Sequence, residues 1–125
     1  MILDTNALSA FAEGEQGVRD VIVSQPGPYL PVIVLGEYRF GLTGARDQRR
    51  RMAWLQGLTE QWTVLEITTE TAVVYSEIRQ ILKRNATPIP SNDAWIASLA
   101  RQHGLSILSS DPHFDFVPGI ERLSW

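Results

Sequence analysis

The chain has 125 residues, 44% of them apolar and 20% charged, which is enough apolar sequence for the core of one domain and too much for a disordered chain. It contains no Cys, so disulfides, thiolate zinc sites and a Cys nucleophile are excluded together. The net charge of −3 argues against a protein that coats nucleic-acid phosphates with bulk positive charge, but leaves room for an enzyme that meets phosphates through a metal.

The elements follow in chain order. Ile2-Leu3 predicts a short strand, and Ala7 to Phe11 a helical stretch. "GEQGVRDVIVSQPGP" predicts a second short helix closed by Pro26-Gly27-Pro28. "YLPVIV" predicts extended chain, with Pro31 at a strand start or edge because proline cannot donate to a ladder. Val34 through Leu58 is helical, in two pieces broken around Thr43-Gly44. "WTVLEI", Trp62 to Ile67, is rich in β-formers and predicts a strand. Thr69 to Arg84 is the clearest helix, with Val74, Ile78, Ile81 and Leu82 on one face. "NATPIPSN" is a loop; Asp93 to His103 is helical, and Gly104 supplies its stop. "LSILSS" predicts another apolar strand and "IERLSW" a last one. Strands alternating with helices imply an α/β domain with a mainly parallel sheet, whose sites form at the carboxyl ends of strands.

No basic segment followed by an apolar run opens the chain, and no apolar run approaches membrane length. A single cytoplasmic domain over residues 1–125, with no membrane span, is therefore expected. Ten of the eleven cationic residues are Arg, four of them in "RDQRRR", Arg46 to Arg51, a run that reads as a solvated helix face or end. Tyr38, Phe40, Trp54 and Tyr75 read as core aromatics.

Two strands run into acids, "MILD" at Asp4 and "SILSSD" at Asp111. As parallel neighbours they would deliver both carboxylates to one sheet edge. Asp93 stands in the first turn of its helix, on the face of Ile96, Ala97 and Ala100, and Glu37 interrupts the apolar "VIVLGEYRFGL". Each has a structural reading alone: helix cap or turn for Asp4 and Asp111, dipole partner for Asp93, solvated residue for Glu37. Together they would repel unless a cation neutralises them or some stay protonated. Carboxylates without thiolates suit Mg²⁺ or Mn²⁺, the ions that hold phosphates and activate water for phosphodiester hydrolysis.

The sequence resembles the PIN-domain ribonucleases, in particular the VapC-like toxins of toxin–antitoxin pairs. "ILDTNALS" is similar to the family's opening strand and first acid, and "GEYRFGL" to the helix bearing the second. "IPSNDAWIASLA" is similar to the third-acid motif and "LSSDPHFDFVPGI" to the closing one. The resemblance covers nearly the whole chain. It implies a three-layer α/β/α fold, a homodimer, an RNA substrate, and an antitoxin that covers the site. It also implies Asp4, Glu37, Asp93 and Asp111 as the acidic, Mg²⁺- or Mn²⁺-binding cluster, with Asp4 and Asp93 as the foremost ligands. Asp111 or Glu37 would position the attacking water. Asn6 and Ser109 would orient the acids, and Asp115 would be a further acid. Arg39 and Arg84 would meet substrate, and His113 would serve as a packing or turn residue.

Two rival readings belong to other classes. A phosphoaspartyl receiver or phosphatase wants an acid two residues after Asp4, where Asn6 stands, or a Lys near the chain's end, whereas the only Lys is Lys83. A non-catalytic RNA- or protein-binding module would have no reason to keep all four acids.

Overall fold

A computed structural model describes residues 1–125. The strands are β1 (Ile2–Leu3), β2 (Tyr29–Pro31), β3 (Thr63–Leu65), β4 (Ile107–Leu108) and β5 (Arg122–Leu123). All pair in parallel, in one sheet of order β3-β2-β1-β4-β5. Six helices flank it: α1 (Thr5–Ala12), α2 (Gln16–Ser24), α3 (Val32–Leu42), α4 (Gln48–Gln61), α5 (Thr69–Arg84) and α6 (Ser91–His103). This is the expected three-layer α/β/α arrangement.

The centre of the sheet explains why its strands are so short and so apolar. Ile2 pairs with Ile107 and Leu3 with Leu108, and none of the four side chains is exposed. Strands covered on both faces read as continuous apolar runs rather than alternating ones. The chain builds outward from β1 to β2 and β3 on one side, then crosses to β4 and β5 on the other. The carboxyl ends of β1 and β4 therefore flank the point where strand order reverses, the place where α/β sheets form ligand crevices.

Helix α5 packs against α6, and Ile78 and Leu82 of its predicted face are buried. Its start is fixed by a reciprocal pair: Thr68 Oγ1 accepts from the Thr71 amide at 3.4 Å, and Thr71 Oγ1 accepts from the Thr68 amide at 3.0 Å. Thr71 Oγ1 also donates to Gln102 Oε1 at 2.5 Å, joining α5 to α6. Thr68→Ala is expected to cost about 1 kcal/mol of stability, read as a lowered urea midpoint, with Thr68→Ser keeping most of it. Gly104 ends α6 at φ +64°, a left-handed turn that glycine adopts without strain.

Several local expectations need correction. Helix α1 begins at Thr5 rather than Ala7, because the Asp4 carboxylate accepts from the Thr5 amide and caps it there. "YLPVIV" is not all extended: β2 ends at Pro31, and Val32 already opens α3. Pro31 stands at the end of an inner strand, with φ −62° suited to entering a helix. Trp62 caps the end of α4, so β3 starts one residue later than expected. Phe40 is 79% exposed, because the core face of α3 is set by Val34, Tyr38 and Leu42 at four-residue spacing. Tyr38 is buried, and Trp54 and Tyr75 are half-buried against the core. In the Arg-rich run, Arg50 and Arg51 both pair with Asp47, at 3.0 and 2.9 Å, at the start of α4.

Candidate active site

The two central strands deliver their acids side by side. Asp4 follows β1 and is 5% exposed; its Oδ1 accepts from the Thr5 amide at 2.8 Å. Its Oδ2 accepts from Ser109 Oγ at 2.7 Å and Asn6 Nδ2 at 3.0 Å. Ser109, fully buried just past β4, accepts in turn from the Asp111 amide at 2.9 Å. Asn6 Oδ1 accepts from the Ser110 amide at 3.1 Å, so Asn6 and Ser109 tie both strand ends together. Asp111 accepts from the His113 amide at 2.9 Å and caps a short 3₁₀ turn, Pro112–Phe116. The capping roles of Asp4 and Asp111 and their convergence are therefore compatible: the cap aims each carboxylate.

Helix α6 brings Asp93 in its first turn, and α3 brings Glu37 from mid-helix. Burial is the main cause that raises the Asp4, Glu37 and Asp93 carboxyls above their ordinary range. Mutual repulsion adds to it: Asp111 acts on Asp4, Asp4 and Asp93 act on Glu37, and Asp4 and Asp111 act on Asp93. The four acids thus share one electrostatic site.

His113 is in a turn, as expected, but it also enters the cluster. Its Nδ1 lies 3.2 Å from Asp93 Oδ2 and 3.1 Å from Asp111 Oδ1. Asp93, Asp111 and His113 each offer a donor atom within 4.8 Å of the others, while Asp4 and Glu37 stand outside that tight trio. Nothing in the sequence announces this contact, because the fold alone brings positions 93 and 113 together. Asp115 turns away: it forms a two-pronged pair with Arg122 at 2.8 Å on both prongs, and that pairing lowers its pKa. Arg122 also donates to the Ser109 carbonyl at 3.1 Å, bracing the strand end from β5. Arg39 and Arg84 are exposed and pair with no carboxylate.

The donor set, carboxylate oxygens with one imidazole and no thiolate, suits a hard divalent ion. Glu37 Oε1 is buried without a hydrogen-bond partner, a costly state that a nearby cation would relieve. The chemistry of the residues therefore fits such an ion.

Residues 1–120 match the family described as PIN domain. The chain belongs to the PIN-domain family. It is similar to Ribonuclease VapC4 of Mycobacterium tuberculosis, 30% identical over 96 residues that cover 74% of this chain and 73% of that protein. It is also 30% identical over 94 residues to the tRNA(fMet)-specific endonuclease VapC of Salmonella typhimurium, covering 74% of this chain and 71% of that one. A crystal structure of DNA-bound VapBC from Salmonella typhimurium resembles it with a TM-score of 0.87 at 26% identity, over 99% of this chain and 96% of that chain.

The raised carboxyls of this PIN domain have a consequence for stability. A native pKa above the unfolded value means the folded state binds more protons in the window between the two. Stability contributed by these groups therefore falls as pH rises from the ordinary values, 3.8 for Asp and 4.5 for Glu, through the raised native ones. Above that window the full penalty applies. At neutral pH in EDTA, Glu37→Gln is expected to raise stability by about 0.5–2 kcal/mol, the usual yield of relieving a strained functional site. The gain should vanish at low pH, where the wild-type carboxyl is already neutral; thermal melts at both pH values check it.

Proposed function

We propose that this PIN domain is a divalent-metal-dependent endoribonuclease and the toxin of a toxin–antitoxin pair. The observation that carries the reading is the convergence of Asp4, Glu37, Asp93 and Asp111, three of them with carboxyl pKa values raised, at the carboxyl ends of β1 and β4. Ribonuclease and endonuclease relatives support the choice of reaction.

Asp4, Glu37, Asp93 and Asp111 would hold Mg²⁺, with Mn²⁺ able to substitute, and His113 stands beside them. When bound, such an ion neutralises the scissile phosphate and makes water acidic enough to attack in line. The protein's own groups set the stage. Ser109 and Asn6 fix the Asp4 carboxylate through Oδ2, so its orientation needs no adjustment when substrate arrives. Asp111 is the more open of the two acids that touch His113, its side chain 29% exposed against 15% for Asp93, and it is the one that positions the attacking water and takes its proton. Arg39 and Arg84, free of acidic partners, meet the flanking phosphates.

An antitoxin that covers the acids is the expected partner, since the similar Salmonella typhimurium structure is of a VapBC assembly. A homodimer is the expected toxin form. No helix is long and apolar enough to cross a membrane, in keeping with a cytoplasmic site of action. Calorimetric titration with Mn²⁺ tests the metal site. Wild type should bind it, and Asp4→Asn should bind it at least about tenfold more weakly. Equal affinity in both proteins would remove Asp4 from the site.

A further inference from the structure

The ring of His113 meets two acids of the cluster at once. Its Nδ1 is 3.2 Å from Asp93 Oδ2, where a hydrogen bond forms, and 3.1 Å from Asp111 Oδ1, where none does. One ring nitrogen carries at most one proton, so a proton aimed at Asp93 leaves the Asp111 oxygen facing the nitrogen unbonded. That oxygen accepts instead from the His113 amide, at 2.9 Å. Three electron-rich atoms, brought by α6 and by the turn after β4, thus crowd together within 4.8 Å of one another. Such crowding is what an ion explains. Neighbouring ligands of an octahedral ion, each about 2.1 Å from its centre, stand about 3.0 Å apart. The nitrogen holds nearly that spacing from both oxygens.

The imidazole is also held ready. Pro112 opens the 3₁₀ turn, Asp111 caps it, and the fully buried Phe114 anchors it in the core. The His113 side chain is nonetheless 40% exposed, which leaves it within reach of an incoming ion.

We propose that His113 is a direct ligand of the divalent ion, through Nδ1, and that its nitrogen biases the site toward Mn²⁺ over Mg²⁺. The proposal rests on the metal-dependent reading of the acidic cluster and adds a ligand of a different chemical kind. Imidazole suits first-row transition ions, whereas Mg²⁺ takes carboxylate oxygens and water. As a ligand the ring is neutral and carries its proton on Nε2. An all-carboxylate site would lack this source of discrimination.

Pulsed EPR of the untagged protein loaded with Mn²⁺ reads ligand nitrogens directly. Wild type should show the nitrogen modulation of a bound imidazole. The only other His, His103, ends α6 about 15 Å along the helix from Asp93, so the signal can come from His113 alone. His113→Asn keeps the capped backbone amide and puts an oxygen donor near the place of Nδ1. It should lose the modulation. In calorimetric titrations it should bind Mn²⁺ at least about tenfold more weakly and Mg²⁺ within about twofold of wild type. Wild-type Mn²⁺ bound without nitrogen modulation, or an unchanged Mn²⁺-to-Mg²⁺ preference in His113→Asn, would overturn the proposal and leave His113 a hydrogen-bond partner of Asp93. A parallel RNA cleavage assay separates the two readings. Mn²⁺-dependent cleavage without nitrogen coupling would fail the ligand alone; nitrogen-coupled Mn²⁺ without cleavage would fail the nuclease and keep the ligand.

Discussion

Asp93→Asn is expected to lower RNA cleavage by about 10²–10³-fold or more, the cost of removing one fixed electrostatic contact to a developing charge. Asparagine keeps the shape of the side chain and its place in the first turn of α6, so the fold should survive. What it removes is the charge that faces Asp4 and Asp111 and the carboxylate oxygen 3.2 Å from His113. Asp115→Asn is the matched control, since Asp115 is spent on Arg122 outside the cluster. It should cut within about twofold of wild type, surface changes away from functional contacts being near neutral. Initial rates on one RNA at fixed Mn²⁺ give both numbers. Comparable rates for wild type and Asp93→Asn would detach the acid of α6 from the chemistry.

The largest effect on stability is expected at Phe114. Its ring is fully buried although it sits in the 3₁₀ turn, Pro112–Phe116, that follows β4. The same turn carries His113 and is capped by Asp111, so one aromatic anchor pins two members of the cluster to the core. Phe114→Ala should cost about 3–5 kcal/mol through lost burial and the cavity left behind. Against a typical total of about 5–15 kcal/mol, that is a large share. Phe114→Leu, which fills most of the space, should cost clearly less. Urea unfolding of the variants provides the comparison; a Phe114→Ala loss below about 1 kcal/mol would mean the turn is not held by its ring.

The parts of this fold that were legible in the sequence share one property: their signal is local. Ile2-Leu3 before Asp4, and Ile107-Leu108 before Ser109 to Asp111, read as buried parallel strands because burial on both faces leaves a short apolar run that ends abruptly in polar residues. Helix α5 was legible because Val74, Ile78, Ile81 and Leu82 recur at helical spacing, and Ile78 and Leu82 are buried. Phe40 misled because apolar character does not say which side of a helix a residue takes; Val34, Tyr38 and Leu42 had already claimed the inner one. Pro31 misled because the prohibition on proline in strands concerns a missing donor, and a strand's last residue can become the first bend into a helix.

The site divides in the same way. Asp4 and Asp111 could be suspected from their strands, and Asp93 and Glu37 from the apolar helix contexts they interrupt; the family resemblance then gave all four one role. His113 could not be inferred, since its contact with Asp93 joins a turn to a helix start twenty residues away. Nor could the fate of Asp115, which depends on Arg122 arriving on β5.

The most direct measurement is cleavage of a mixed pool of small structured RNAs by the purified protein, in Mn²⁺ and in EDTA. Discrete cuts are expected with Mn²⁺, none with EDTA, and recovery when the ion is restored. Equal cutting in EDTA by a folded protein, or a folded protein that neither binds Mn²⁺ nor cuts, would contradict that expectation.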